Sequence, residues 1–454
     1  MRVLLTSHQF LPKYSFGTEK LTFECGRELL KRGHSVHVLT SEPASLAIPQ
    51  NSHWDYDYQG LKVRLFGLSV GETPDPLRYE FDNPDMAANM RGYIEEVRPD
   101  VVHVWHAGRL SGSIIKTAKE LGLPVVFTAT DFWSICRVIH LRRADTGELC
   151  TGPNRLATNC LRCYIARTNA PQEAKNKYLH KSDLELGLYT TLANAPILRS
   201  LGKGKRIRAV TQRIRFLKET INSVDRVIAP TKIMRDMLLR NGIKPHLLRV
   251  SRYGIETSHI TAAPQSPERP PTMRFGFMGG IVRHKGLHTL IKAFRGIPAL
   301  MPAELKIYGD TGRDPKYFEE LKQLAGEDRR IRFMGPFEGE KVGWILSEVD
   351  VLVVPSSWYE NTPLVIYEAF ASGTPVIGTD LGGISEVIEH GKNGLLFKME
   401  DAKDLNAQLL RFVLEPELLA KMRKHIKPPR SVSDSVDELE ETYAELLIPR
   451  KPES

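Results

Sequence analysis

Val349-Asp350-Val351-Leu352-Val353-Val354-Pro355, with Glu360-Asn361-Thr362-Pro363-Leu364-Val365-Ile366-Tyr367-Glu368 close behind it, decides the fold. The first run is short, β-branched and closed by a proline, so it reads as a buried parallel strand. Thr362 offers an N-cap, and Pro363 suits the first position of a helix. Glu360 then falls in a strand-to-helix loop and Glu368 within the first turns of the helix. Such loops, at the carboxyl ends of parallel strands, are where open α/β sheets bind ligands. One carboxylate in the loop and one on the helix can accept hydrogen bonds from two separate sets of hydroxyls, as a sugar nucleotide presents them.

The same alternation of strand and helix extends outward. Pro375–Gly378 reads as the next strand, and Arg274–Gly279, Leu305–Tyr308 and Ile331–Met334 as earlier ones. Ahead of these, residues 257–272 form a polar, proline-rich linker with no apolar period. The first half repeats the pattern. Val3-Leu4-Leu5 precedes a helix from Glu19 to Arg32, Gly33 ends that helix, and His34–Leu39 is the next strand. Val101–Val104, Val125–Thr128 and Arg226–Ala229 complete the series. The expected class is α/β, with two Rossmann-like domains joined by a linker and a ligand cleft between them. The expected segments are 1–256, the linker 257–272, 273–428, and a terminal helix and tail over 429–454.

The 454 residues suffice for two domains with full cores, and 41% hydrophobic with 26% charged residues is ordinary for a soluble enzyme. No run of about 18 apolar residues predicts a membrane span. Met1–Ser7 turns polar too soon for a signal peptide and reads as a strand. The net charge of +9 is concentrated at 203–218, where Lys203, Lys205, Arg206, Arg208, Arg213, Arg215 and Lys218 occur without an acid. This basic helix, placed at 198–222, reads either as a solvated face or as a contact with anionic lipid. Ile207, Val210, Ile214 and Leu217 recur along it at roughly helical spacing. No recognition motif supports nucleic acid.

Five cysteines, an odd number, argue for a reducing cytoplasm. Four of them, Cys136, Cys150, Cys160 and Cys163, fall within 28 residues, in an insert spanning 131–165. Cys160-Leu161-Arg162-Cys163 has the half-site spacing of a structural zinc site. Free thiols and a labile redox pair are the alternative readings.

Together the motifs resemble the retaining glycosyltransferases of family 4, which have the GT-B fold. The resemblance spans nearly the whole chain and is strongest over 274–397. It rests on Gly279-Gly280-Ile281-Val282-Arg283-His284-Lys285-Gly286, on Ile307-Tyr308-Gly309-Asp310, on Pro355 through Glu368, and on Gly373-Thr374-Pro375-Val376-Ile377-Gly378-Thr379-Asp380-Leu381-Gly382-Gly383. A subset of bacterial members looks to carry a similar cysteine-bearing insert. The resemblance implies two domains facing each other across a cleft and a C-terminal helix crossing back to the first domain. The first domain would bind the acceptor and the second the donor.

For the site, the resemblance implies that Glu368 accepts from the donor ribose, that Glu360 contacts the transferred sugar, and that Lys285 holds the diphosphate. Arg283, Gly309 and the backbone of Asn361, Thr362 and Leu364 join the donor side. Gly17, in Phe16-Gly17-Thr18-Glu19, would approach donor phosphate or acceptor, and His106 and Asp131 would serve the acceptor side. Two positions depart from the family: Gly280 replaces an arginine, and Thr130 replaces a histidine ahead of Asp131. His103 reads as a core histidine, whereas His106 lies past its strand. The implied reaction is metal-independent, hexosyltransferase-like transfer from a nucleotide sugar to a glycan or lipid-linked acceptor, on the cytoplasmic side and peripheral on the inner membrane face. Rival readings are an epimerase or phosphorylase of the same fold, or a catalytically impaired binding or scaffold protein.

Overall fold

The computed structural model describes residues 1–196, 204–260, 272–415 and 417–448. Most of the expected linker, residues 198–203 of the basic helix with Lys203, and the tail beyond 448 lie outside the described residues. The chain divides into two compact units, Met1–Tyr253 with Val432–Ser454, and Gly254–Ser431.

The first unit holds β1 (Arg2–Thr6), β2 (Ser35–Glu42), β3 (His53–Tyr58), β4 (Leu61–Gly67), β5 (Val101–Val104), β6 (Val125–Thr128), β7 (Arg226–Ala229) and β8 (Leu248–Val250). They form one sheet in the order β3-β4-β2-β1-β5-β6-β7-β8. Only β3 pairs antiparallel, with β4. The strands β3, β4 and β8 are additions to the expected set. The β3–β4 hairpin turns at Gln59 (φ 52°) and Gly60 (φ 88°), the left-handed pair of a tight hairpin. Asp57 Oδ1 accepts from the Gly60 N–H at 2.9 Å.

The helix Gly17–Lys31 ends as the sequence foretells. Gly33, at φ 83°, donates to Leu30 O and His34 donates to Leu29 O, a Schellman stop. On this helix packs the C-terminal helix Val432–Leu447. Arg32 reaches Asp437 at 2.6 Å and Glu440 at 2.5 Å, and His34 meets Glu440 at 2.5 Å. Tyr443 is fully buried, with its hydroxyl 2.6 Å from His103 Nδ1. The other ring nitrogen of His103 lies 2.7 Å from Thr128 Oγ1. Burial pushes the His103 pKa down to about 3, so this neutral ring is a core group that seats the terminal helix on the sheet.

The basic helix runs over Lys205–Ile221. Its Val210 and Leu217 are buried in the fold, so they do not form the outward apolar face that helical spacing suggested. Arg213 is buried as well, and Arg208 donates to Ala193 O at 2.9 Å.

The second unit holds β9 (Met273–Met278), β10 (Ala303–Tyr308), β11 (Ile331–Gly335), β12 (Val351–Val354), β13 (Val376–Thr379) and β14 (Gly394–Phe397). The order is β11-β10-β9-β12-β13-β14, all parallel. β12 buries both faces: Val351 and Val353 pack with Phe275 and Phe277, and Leu352 and Val354 with Ile366 and Phe370. That is why the decisive run is continuously apolar. Its one charge, Asp350, is fully buried and tied to Arg274, with Nη2–Oδ1 at 2.9 Å and Nε–Oδ2 at 3.0 Å. The strand order reverses direction between β9 and β12, so the ligand crevice of this sheet lies outside their carboxyl ends.

Candidate active site

The loops that leave β9 and β12 meet at that switch point. Lys285 Nζ lies 2.6 Å from Glu360 Oε1. Ser356 Oγ at 2.7 Å and Trp358 Nε1 at 2.8 Å donate to the same oxygen. Oε2 accepts nothing from the described residues, so one side of the carboxylate is held and the other is available. Burial pushes the Glu360 pKa up, but Lys285 and the three hydrogen bonds outweigh it and hold the group below the ordinary carboxylate range. Glu360 is therefore an anion at neutral pH, oriented before any ligand arrives.

Close backbone packing makes this geometry possible. Gly286 sits at φ 75°, and a Cβ there would lie 1.8 Å from Pro355 O. On the other side of the loop the Gly383 N–H donates to Glu360 O at 2.8 Å, and a Cβ on Gly383 would lie 1.7 Å from Asn361 O. Two glycine turns thus grip the Glu360 loop where any side chain would push it away.

The helix beyond the loop spans Leu364–Ala371. Its N-cap is Pro363, not Thr362, and no side chain caps it. The start is one residue later than the sequence suggested because Pro363 is extended, at ψ 109°. Thr362 Oγ1 is buried without a hydrogen-bond partner. The leading N–H groups of the helix therefore form an uncapped, anion-seeking end. Asn361 and Glu368 are both buried here, Glu368 in the second turn. Gly309 closes the same region: a Cβ on it would lie 2.1 Å from Gly279 O.

Arg283 is placed elsewhere. Its guanidinium pairs with Glu320 and lies over the Tyr317 ring, 4.9 Å from the centroid, with the side chain 60% exposed. A different arginine stands beside the departing glycine: a Cβ on Gly280 would lie 3.0 Å from Arg313 Nη1. Arg313 comes from the loop after β10, and no spacing in the sequence points to it.

In the first unit the polar cluster forms at the ends of β1 and β5. His106 Nε2 lies 2.8 Å from Asp131 Oδ2, and His106 Nδ1 accepts the Gly108 N–H at 2.8 Å. With Nδ1 accepting, the proton of the neutral ring sits on Nε2 and is donated to Asp131. Asp131 Oδ1 accepts from Trp133 N at 2.7 Å. Burial raises the Asp131 pKa, yet the His106 ring and these hydrogen bonds hold it low. Thr130 turns its hydroxyl to Trp105 O at 3.0 Å, so it takes no part in this pair.

His8, not singled out in the sequence, joins this cluster together with Glu19 of the Phe16–Glu19 motif. The His8 ring lies 4.1 Å from that of His106, and its Nε2 is 3.5 Å from Glu19 Oε1. Glu19 is fully buried. Burial raises its pKa. Gly17 opens the helix that carries Glu19. The available signal was the position of His8 just past the first strand, equivalent to that of His106.

Residues 260–427 match the family Glycosyl transferases group 1, and residues 16–161 match the Glycosyl transferase 4-like domain. A curated relative, a D-inositol 3-phosphate glycosyltransferase from Corynebacterium urealyticum, is 36% identical over 145 residues. The match covers 30% of this chain and 34% of the relative, so the chain spans about a third of that protein. Among solved structures, sucrose-phosphate synthase from Thermosynechococcus elongatus aligns with a TM-score of 0.67 at 17% identity, covering 98% of both chains. Anabaena HepE, solved in complex with UDP-glucose, aligns with a TM-score of 0.63 at 16% identity, covering 98% of this chain and 100% of the other. At that identity the likeness shows the fold, which is GT-B.

Proposed function

We propose, of a chain that belongs to the glycosyl transferases group 1 and within them to family 4, that it moves a sugar from a nucleotide-sugar donor to a hydroxyl acceptor with retention of configuration. The product class is a glycan, glycolipid or polysaccharide. One observation carries the reading: Glu360 is clamped through one oxygen by Lys285, Ser356 and Trp358, while its other oxygen stays open. Glu360 takes hydroxyls of the transferred sugar there, and Glu368 those of the ribose. The uncapped helix start and Lys285 take the diphosphate.

In the reaction the bond between the anomeric carbon and the phosphate oxygen breaks, and its electron pair leaves with the diphosphate. The acceptor oxygen bonds to the same face of that carbon, and its proton passes to the departing phosphate oxygen. Lys285 and the helix N–H groups stabilise the charge that develops on the leaving group. Arg313, beside Gly280, supplies a second cation to it. His106 and Asp131 orient the acceptor hydroxyl.

The test uses the full chain with a panel of nucleotide sugars. Glu368→Ala should weaken donor binding, read by thermal shift, while Lys285→Ala should mainly slow transfer. Parental transfer rates in both variants would remove the assignment. Transfer unaffected by a chelator supports metal independence.

A second surface supports peripheral attachment to an anionic membrane. The helix Asp183–Asn194 packs on the basic helix and leaves Leu184 83%, Leu188 60% and Leu192 45% exposed. Spaced by four, these leucines share one face, and Lys205, Arg206 and Lys218 of the basic helix are exposed. Replacing the three leucines by serine should abolish sedimentation with phosphatidylserine vesicles. Unchanged sedimentation would exclude this face.

A further inference from the structure

The cysteine insert has no part in the chemistry above, yet the fold gathers it. Cys136, Cys150, Cys160 and Cys163 line one cavity of about 40 Å³, together with Leu141 and Arg213. All four are free thiols. Cys160 and Cys163 share one face of the helix Thr158–Ala166, and the loop from 136 to 152 folds over that face.

Cys150 Sγ lies 3.3 Å from Gly152 O and Cys163 Sγ 3.9 Å from Asp145 Oδ1, contacts a thiol makes as donor, but two features of this cavity favour an anionic ligand set. First, backbone N–H groups are aimed at the sulfurs. Gly152 N donates to Cys150 Sγ at 3.4 Å, and Ala144 N to Cys163 Sγ at 3.4 Å. A neutral thiol is a weak acceptor, whereas a thiolate gains from every such donor. Second, Arg213 is buried against the cluster at 4% exposure. It donates to Trp133 O and lies over the Trp133 ring, 5.8 Å from the centroid. Among the described residues no carboxylate pairs with it, and the nearby Glu80 is already engaged by Arg137 at 2.5 and 2.7 Å. A buried guanidinium without a counter-charge is costly, so the site requires an anion.

We propose that the four cysteines hold one zinc(II) ion as a structural centre, with Arg213 as its buried counter-charge. Binding releases four thiol protons and leaves a tetrathiolate zinc group of net charge −2, which neutralises the guanidinium and accepts the N–H groups. Soft thiolate ligands select zinc, and the small cavity suits a single ion rather than a cluster. Among the described residues no three ligand groups are placed to hold a metal ion, so binding requires the thiols to move inward across the cavity. The centre pins the insert that begins at Asp131 onto the basic helix, and so holds the His106–Asp131 pair in place.

The test is elemental analysis of full-length protein purified under reducing conditions without chelator, with cobalt(II) refilling of the stripped protein. The expected result is about one zinc per chain, with cobalt giving thiolate charge-transfer and tetrahedral bands. Cys25→Ser should keep both signals, and Cys160→Ser should lose them. Arg213→Met should weaken zinc retention against a competing chelator by about tenfold or more, with Arg213→Lys close to parental. Less than about half an equivalent of zinc in the parental protein, with no cobalt bands on refilling, overturns the proposal. So does finding the four thiols paired as two disulfides. These readings on the parental chain do not depend on any variant folding.

Discussion

Replacing Lys285 by methionine keeps most of the side-chain volume and removes one charge from a pair. Lys285 Nζ is 2.6 Å from Glu360 Oε1; at an effective dielectric of about 20 that contact is worth about 6 kcal/mol before desolvation is subtracted. Breaking a fully buried pair costs roughly 3–5 kcal/mol, because the remaining charge is stranded. Lys285 is 28% exposed, so water screens part of the contact, and we expect a loss of about 2–3 kcal/mol. For a unit of this size that lowers the melting temperature by roughly 4–12 °C. Differential scanning calorimetry of the full chain at low salt measures it. The decisive comparison is the double variant Lys285→Met/Glu360→Gln. With both charges gone nothing is stranded, so it should recover at least half of the lost stability. On the proposed reading, in which Lys285 is the cation of the leaving diphosphate, transfer should fall by about 10²–10³ in both variants. Parental melting of Lys285→Met, or a double variant equal to the sum of the singles, would refute the stranded-charge reasoning.

Three other outcomes follow from the geometry. Glu360 and Asp131 both have carboxyl pKa values held below the ordinary range, so each adds stability above about pH 4 that is lost as pH falls through its folded value. Urea midpoints should therefore drop on acidification, and less steeply in Glu360→Gln. Asp131→Asn removes the carboxylate that accepts the His106 Nε2–H, so the transfer rate should fall while donor affinity stays parental; a parental rate would detach this pair from the reaction. Tyr443→Phe strands one buried nitrogen of His103 and should cost about 1–3 kcal/mol by chemical denaturation. A neutral result would mean the terminal helix is held by its ion pairs alone.

The βαβ rhythm and the Glu360/Glu368 loop were legible because the central strands, such as β1, β5, β6, β12 and β13, are buried on both faces and so carry a dense apolar signal. Gly33 was legible for a local reason, the left-handed stop. The hairpin β3–β4 was not, since His53–Tyr58 lies at an open edge, alternates aromatic and acidic residues, and turns on Gln-Gly rather than Asn-Gly. The three-residue strand β8 adds too few residues to form a pattern. Thr362 looked like a cap because composition shows which residues can cap, whereas the dihedrals of Pro363 decide which one does. Arg283 and Arg313 show the same limit. Proximity to Lys285 in sequence favoured Arg283, but the backbone sends its side chain to Glu320 and brings Arg313, 28 residues beyond Lys285, alongside Gly280.

The first unit is discontinuous: its sheet is complete by Val250, but Tyr443 and its helix come only after the whole second unit. On the ribosome, the second unit emerges and can fold while the ring of His103 still lacks its last partner. The first unit therefore reaches full stability only after the second unit has been made. Truncation at Val432 would spare the second unit and leave the first open to proteolysis.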